Sequence, residues 1–334
     1  MTVDLNKFDN DLTKRHLHNR MGRQYWVWRD DRLYEQRFGT CNGPYQVRNI
    51  QMLRLCKPAA RTIVDIGMNV GNNTMEYATW AKTVHGFEPF TPTFELAEVN
   101  VALNKTLKLK GRYYPTREED KQDGWWKQED GTFASLDMIA DVHIHNKGLG
   151  NIAGTMKIEN HPFNAGHNCI VEGERLEQTK YEVFDVEIVT LDSQNLTEID
   201  CIKVDCEGYE FNVLKGAENT IRTQRPIVQL EIVDTQCKRF GYSPQDLYDY
   251  FTSTIGDYRI CDFMGRDLGT SWEKMKGVMD RFFVPEELYQ SVLANREIKQ
   301  VTHAGMINSP KKKTPFKKRA VTKPVVEFNN LFDE

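Results

Sequence analysis

Short apolar segments alternate with segments of helical periodicity from about Thr62 to Val301. Strands separated by helices in this way bury their side chains in a mostly parallel sheet with helices on its faces. The strand candidates are TIVDIG, TVHGFE, DVHIHN, GTMKIE, FDVEIVTL, CIKVD, PIVQLEIV, YRICDF and RFFVP. The helix candidates include NNTMEYATWAK, TPTFELAEVNVALN, EFNVLKGAENTIRTQ, SPQDLYDYFTSTIG and PEELYQSVLAN. The alternation predicts an α/β fold with a doubly wound, Rossmann-like, mostly parallel sheet.

Three segments stand outside this alternation. Residues 1–55 are polar and aromatic, and they predict an N-terminal cap of helices and a short hairpin. Residues 105–139 are charged and contain glycines, which indicates an insertion that either covers a site or is a plain surface excursion. Residues 303–334 read as a basic flexible tail, whose end VVEFNNLFDE is either solvated or a docking peptide for a protein partner. The predicted domains are therefore 1–55, 56–302 and 303–334.

Charge and apolar content exclude several classes of protein. The 44 basic and 48 acidic side chains leave a formal charge of -4, so no DNA partner is expected. No apolar run approaches the roughly 20 residues that span a bilayer, and the N-terminal segment lacks the apolar core of a signal peptide. We expect a cytoplasmic protein without a membrane span, in which the seven scattered cysteines are reduced thiols.

A glycine-containing turn follows the first strand of the alternation. The run Asp65-Ile66-Gly67-Met68-Asn69-Val70-Gly71 ends the strand, and a helix is predicted to begin near Asn73. Gly67 and Gly71 allow a tight turn and a close approach of a ligand to the backbone, beside the free N–H groups of the helix. The spacing differs from GxGxxG, and no GxxxxGK[ST] occurs, so the usual dinucleotide and P-loop motifs are disfavoured.

Acidic residues end two of the predicted strands. Glu88 ends TVHGFE about 20 residues after the turn, where a carboxylate can accept hydrogen bonds from both ribose hydroxyls of a nucleoside. Asp205 and Glu207 follow CIKVD at the carboxyl end of a central strand. They suit a general base toward a hydroxyl or a site for a hard divalent cation such as Mg²⁺. Glu207, and more so Glu210, could instead cap the following helix.

The same segments together resemble the FkbM family of O-methyltransferases, from Thr62 to Val233 and more loosely to Pro285. The resemblance is carried by VDIGMNVGNNT, HGFEP with TFELAEVNVALN, NKGLGNIAGTMKI, VTLDSQNLTEIDCIKVDCEGYEFNVLKGAENTI and RPIVQLEI. IKVDCEGYEFNVLKGA is its most specific part, since it resembles the family's K-x-D-x-E-G-x-E-x-x-x-L-x-G-A segment. The resemblance implies a class I methyltransferase domain at 56–302 that uses S-adenosylmethionine.

The resemblance also implies where the cofactor binds. S-adenosylmethionine would lie over Asp65, Gly67, Asn69 and Gly71, with Glu88 on the ribose. Lys147-Gly148 would line the adenine ring. Two departures from the family's pattern bear on this pocket: Lys147-Gly148-Leu149-Gly150 replaces the usual ALS or ALG turn, and Met68 stands where small residues are usual.

For catalysis, the resemblance implies methyl transfer to a hydroxyl of a sugar, a glycan or another small acceptor. The ordered candidates for the base are Asp205, Glu207 and His167, the last because the family places the loop NHPFNAGHNCIV near the acceptor. A divalent cation is possible at Asp205 and Glu207. His143 and His145 share one face of a strand, which favours packing over metal binding or catalysis.

The sequence leaves other functions possible. RNA and protein acceptors are alternatives, as is a non-catalytic scaffold that recruits a partner through the tail. DNA methylation is disfavoured, because neither [DNS]PP[YFW] nor a Pro-Cys pair occurs. The spacing DxGxNxG and the downstream DxEG favour S-adenosylmethionine over the nicotinamide cofactor of a dehydrogenase.

Overall fold

The structure is a computed structural model that describes residues 3–18, 23–31, 46–106, 137–275 and 280–294. The predicted tail at 303–334 and nearly all of the predicted insertion at 105–139 lie outside these residues. The assignment of both segments, and of the domain boundaries, stays a prediction.

Nine strands were predicted, and each coincides with an observed strand. The strands of the described residues are β1 (Lys14–His18), β2 (Gln24–Trp28), β3 (Thr62–Ile66), β4 (Thr83–Phe87), β5 (Asp141–His145), β6 (Gly148–Leu149), β7 (Gly154–Asn160), β8 (Cys169–Val171), β9 (Glu182–Val189), β10 (Ile199–Val204), β11 (Ile227–Glu231), β12 (Tyr258–Cys261) and β13 (Asp280–Pro285).

The helices agree with the predicted positions more closely than with the predicted lengths. They are α1 (Val47–Cys56), α2 (Asn72–Tyr77), α3 (Thr91–Thr106), α4 (Gly173–Gln178), α5 (Glu210–Lys215), α6 (Glu218–Gln224), α7 (Asp234–Arg239), α8 (Pro244–Asp249) and α9 (Glu286–Leu288). Wider π-helical turns, Tyr250–Ile255 and Tyr289–Leu293, continue α8 and α9. Short 3₁₀ turns lie at Ala165–His167, Asp192–Gln194 and Trp272–Met275.

Seven strands form a large, mostly parallel sheet in the order β12-β13-β11-β10-β3-β4-β5. Only β13 runs antiparallel to its neighbours in this sheet. The central strands β3 and β10 are buried at every residue, as a sheet covered on both faces requires. Their side chains divide between two apolar clusters, with Val64 and Ile202 on one face and Ile63 and Cys201 on the other. The predicted α/β fold with a mostly parallel sheet is confirmed.

Two of the predicted strands lie outside the large sheet. β7 and β9 pair with each other in a separate sheet of four strands, ordered β6-β9-β7-β8. Thr155 of β7 and Asp185 and Glu187 of β9 share one face and are exposed, which an antiparallel pair tolerates and a doubly covered parallel sheet does not.

Close backbone packing shortens two predicted helices. The segment predicted as one helix over 210–224 is broken at Gly216, where a Cβ would come within 1.9 Å of the carbonyl oxygen of Gly150. The helix predicted to reach residue 82 ends at Tyr77, since the carbonyl oxygen of Ala78 accepts hydrogen bonds from the backbone N–H groups of Ile139 and Ala140.

The described part of the N-terminal cap contains the predicted hairpin, formed by β1 and β2. Helix α3 holds it in place, because the side chain of Asn100 accepts a hydrogen bond from Trp26 N at 2.6 Å and donates one to Trp26 O at 3.0 Å. Before β3 the described residues contain one helix, α1. Nowhere in the described ranges is a helix long and apolar enough to cross a membrane.

A buried ion pair joins the hairpin to the large domain. Arg23, just before β2, is fully buried and donates from Nε to the carboxylate of Glu76 in α2. Such a pair is costly to break on one side only, since a charge is then left in a medium of low dielectric constant.

Replacing Glu76 by Ala should therefore lower the free energy of unfolding by about 3–5 kcal/mol, measured by urea denaturation. The matched control is Glu218→Ala, which breaks an exposed pair with Arg222 in α6 and should cost less than about 1 kcal/mol. Equal losses in the two variants would contradict a structural role for the buried pair.

Candidate active site

The glycine-containing turn lies where β3 meets β10. Gly67 and Gly71 have φ angles of 72° and 83°, and Asn69 has a φ angle of 52°, all in the left-handed region. A Cβ on Gly67 would lie 2.0 Å from the carbonyl oxygen of Asp205, so only glycine fits between the two strand ends. The turn is also held from β4, because the carbonyl oxygen of Phe87 accepts from the N–H groups of Gly67 and Met68, both at 3.0 Å.

Glu88 faces this turn from the end of β4. Its carboxylate accepts hydrogen bonds from the backbone N–H groups of Asn69 at 3.1 Å and Phe90 at 3.0 Å. Burial raises the pKa of Glu88 to about 7 despite these two hydrogen bonds. The carboxylate is therefore fixed in position and changes charge near neutral pH.

Asp65 lies behind the turn rather than at its surface. It is fully buried and accepts a hydrogen bond from Thr74 Oγ1 at 2.6 Å. Lys203 Nζ lies 3.4 Å from Asp65 Oδ1 and 3.4 Å from Asp205 Oδ2, and it donates to the carbonyl oxygen of Gly67 at 2.8 Å. Burial disfavours the charge of Lys203, yet the attraction of Asp205 and Asp65 raises its pKa above the usual value.

Three carboxylates meet beyond the ends of β10 and β11. Oxygens of Asp205, Glu207 and Glu231 all lie within 4.8 Å of one another. Burial, followed by repulsion from Asp205 and Glu210, raises the pKa of Glu207 to about 8. Repulsion from Asp205, followed by burial, raises the pKa of Glu231 well above its usual value. The cluster therefore holds more negative charge than its surroundings compensate, which favours protons or a cation.

The remaining acidic residue of this segment has a structural role. Glu210 accepts hydrogen bonds from the backbone N–H groups of Cys206 at 2.9 Å and Gly208 at 3.1 Å. Glu210 thus holds the turn that precedes α5 and makes no side-chain cap of that helix, so the capping interpretation of Glu210 is wrong. Glu207 does not cap a helix either: its carboxylate accepts a hydrogen bond from Gln236 of α7.

A loop from the small sheet, residues 161–168, closes the other side of the site. The carbonyl oxygen of Ala165 accepts from Asn69 Nδ2 at 3.2 Å, and Ala165 N donates to Asp31 Oδ2 at 2.9 Å. His167 follows in the same loop, and burial, with smaller contributions from His161 and Arg239, lowers the pKa of its imidazole. His167 is therefore neutral at physiological pH and able to accept a proton.

A cavity of about 410 Å³ connects these parts, which is within the range of small-molecule sites. It brings together seven of the ten predicted site residues, namely Gly67, Asn69, Glu88, Gly148, Asp205, Glu207 and His167. The other three, Asp65, Gly71 and Lys147, do not line it. The side chain of Lys147 points toward the small sheet, where its Nζ forms an ion pair with Glu187 Oε1 at 2.9 Å.

Four residues of the site were not predicted from the sequence: Asp31, Lys203, Glu231 and Gln236. Glu231 could have been found, because PIVQLEIV is the strand after CIKVD and its end falls beside Asp205 in a parallel pair. Asp31 carries no local signal, since its contact with Ala165 depends on how the hairpin packs.

The histidines on β5 lie outside the cavity. The rings of His145 and Phe87 stack with centroids 4.4 Å apart, and His85 Nδ1 lies 3.1 Å from His145 Nε2. His143 stacks on His85, with ring centroids 4.9 Å apart. These contacts agree with a packing role for His143 and His145.

Comparison with known proteins identifies the family of this chain. A sequence model of the methyltransferase FkbM domain matches residues 65–263, more than half of the chain. The chain belongs to the FkbM methyltransferase family. Its matched segment contains the glycine turn from Asp65 on, Glu88, the loop 161–168 and the acidic cluster.

One similar solved structure is the methyltransferase FkbM from Methylobacillus flagellatus KT, a crystal structure at 2.20 Å resolution. The match covers 67% of this chain and 44% of that one, at 16% sequence identity and a TM-score of 0.36. The chain thus matches less than half of the length of that protein. No curated protein matches the chain.

Gly67→Ala tests the contact that brings the strand ends together. The new methyl group would overlap the carbonyl oxygen of Asp205, and the free energy of unfolding should fall by at least about 2 kcal/mol in urea denaturation. Gly154→Ala is the matched control, since no atom lies within 4 Å of its added Cβ, and it should change stability by less than about 1 kcal/mol. A Gly67→Ala protein as stable as the control would contradict this packing.

Proposed function

We propose that the chain is an S-adenosylmethionine-dependent O-methyltransferase that acts on a hydroxyl group of a sugar, a glycan or another small acceptor. The observation that carries the proposal is that Glu88 and the glycine turn share one cavity with Asp205, Glu207 and His167. A nucleoside-type cofactor and a base for a hydroxyl group can thus be held in the same space. The strand order, with its single antiparallel strand β13, supports a class I arrangement of the domain.

The cofactor end of the cavity fits a nucleoside. The carboxylate of Glu88 would accept hydrogen bonds from the ribose hydroxyls. The backbone of the turn at Gly67 and Asn69 lines the cavity, where a cofactor can approach it closely. Gly148 also lines the cavity, and only glycine fits there, because a Cβ would lie 2.5 Å from Ile188 Cδ1. We assign Asp65 and Gly71 a supporting role behind the turn. Lys147 would contribute through its backbone, since its amine pairs with Glu187.

S-adenosylmethionine, when bound, supplies a methyl group on a sulfonium, and the electron pair of the broken S–C bond stays on sulfur. The protein then has to orient an acceptor hydroxyl and take up its proton. Asp205 remains the first candidate for the base. His167 is supported by its lowered pKa, whereas Glu207, with a pKa of about 8, is mostly protonated at neutral pH.

A divalent cation is the alternative role for the acidic cluster. Asp205, Glu207 and Glu231 offer the oxygen ligands that Mg²⁺ prefers, and a cation would relieve their repulsion. In that case the three carboxylates would hold the cation, which would supply positive charge that favours the ionised form of the acceptor hydroxyl, and His167 would be the proton acceptor.

Asp205→Asn tests the catalytic assignment. Turnover, measured as S-adenosylhomocysteine released over a panel of sugars and glycans, should fall by at least about 100-fold while S-adenosylmethionine binding is kept. Treatment of the wild type with EDTA and return of Mg²⁺ separates the two roles, because only a cation site loses and regains activity. Full turnover by Asp205→Asn would remove Asp205 from either role.

A further inference from the structure

Three aromatic side chains lie near the cavity-lining His167, and we call His161, Phe163 and Tyr181 the aromatic rim; the ring centroid of His161 is 6.1 Å from that of His167. Phe163 is 60% exposed and Tyr181 is 45% exposed, and both are among the large apolar side chains that the described fold leaves outside its core. The ring of His161 lies against that of Tyr181, with centroids 4.2 Å apart. Phe163 directly precedes the cavity-lining segment that begins at Asn164. Exposed aromatic groups beside a cavity are typical of ligand contact.

The aromatic rim is held in place by a buried carboxylate. Glu159 lies 3.0 Å from His161 Nε2, accepts from Thr179 Oγ1 at 2.7 Å and pairs with Arg175. His161 N donates to Asn168 Oδ1 at 2.8 Å across the base of the loop. These bonds fix the loop before a ligand arrives, which lowers the entropic cost of binding on it.

A cationic side chain, Arg239, lies on the helix that supplies the cavity-lining Gln236. Arg239 ends α7, three residues after the cavity-lining Gln236 and so on the same side of the helix. No hydrogen bond or ion pair of its guanidinium group is found in the described part of the chain, whereas neighbouring Lys238 pairs with Asp234 at 2.6 Å. Arg239 is exposed, and its positive charge is close enough to His167 of the cavity wall to help lower the pKa of that imidazole.

The charges around the cavity give an acceptor one favourable orientation. The acidic cluster at the inner wall offers no positive charge to an anionic group, whereas Arg239 next to the cavity attracts one. A hydroxylated ring would then lie on the aromatic rim with a hydroxyl group pointing inward.

We propose that the acceptor is an acidic sugar, whose ring packs on the aromatic rim and whose carboxylate or phosphate binds Arg239. This inference rests on the proposed function and adds the class of acceptor to it. An exposed guanidinium that pairs with a carboxylate or phosphate contributes up to about a fivefold gain in affinity.

Calorimetry on the protein saturated with S-adenosylhomocysteine tests the inference. The probes are p-nitrophenyl β-D-glucuronide against p-nitrophenyl β-D-glucoside, and glucose 6-phosphate against glucose. At least one anionic probe should bind about threefold to fivefold more tightly than its neutral partner. The pair that shows this preference tells whether the anion is a carboxylate or a phosphate.

Variants assign the preference to residues. Arg239→Gln should remove it, while Lys238→Gln, which deletes a charge one position away, should keep it. Phe163→Ala should weaken the binding of the charged and of the neutral probe of the preferred pair by the same factor, because it removes ring contact and no charge.

Equal affinity for charged and neutral probes, or no binding of any probe, would overturn the inference and leave the proposed function standing. Loss of S-adenosylhomocysteine binding in Arg239→Gln would also overturn it, since the guanidinium group would then serve the cofactor. Failure of the folded wild type to bind S-adenosylhomocysteine would instead contradict the proposed function itself.

Discussion

The site depends on the interactions of the buried amine of Lys203. It lies between the carboxylates of Asp65 and Asp205 and donates to the carbonyl oxygen of Gly67. One cation thereby connects the glycine turn after β3 with the acidic cluster after β10. Charges in such a position are stable only when they are paired, so the two strand ends keep a fixed separation. The absence of a side chain at Gly67 allows the approach that this pairing needs.

Parts that are distant in the sequence complete the cavity around this centre. Ala165 of the loop 161–168 is bound on one side by Asn69 of the turn and on the other by Asp31 of the N-terminal segment. The hairpin is in turn docked on α3 by Asn100 and joined to α2 by the pair of Arg23 and Glu76. The N-terminal segment therefore belongs to the architecture of the site, although it lies outside the residues that the family model matches.

The sequence predicts strongly patterned elements well and long-range contacts poorly. Apolar runs such as TIVDIG and CIKVD become fully buried central strands, because their composition suits a sheet covered on both faces. The separate pairing of β7 with β9 depends on contacts between strands that have the usual apolar pattern, and no local feature distinguishes them. Glu88 and Asp205 were found because each ends a predicted strand, and His167 because the FkbM resemblance places its loop near the acceptor. The positions of Glu231 and Asp31 at the site depend on strand order and on the packing of the hairpin, which no local pattern shows. The side chain of Lys147 lies outside the cavity, where its amine pairs with Glu187.

The central claim is that Glu88 binds the ribose of S-adenosylmethionine in this cavity. The most direct measurement is a calorimetric titration of the wild type and Glu88→Gln with S-adenosylmethionine at pH 8 and pH 6. With a pKa of about 7, Glu88 is ionised and able to accept two hydrogen bonds at the higher pH and is protonated at the lower. Wild-type affinity should therefore fall by about tenfold on acidification, and Glu88→Gln should bind weakly at both pH values. Equal binding by the two proteins, or none by the folded wild type, would contradict the account.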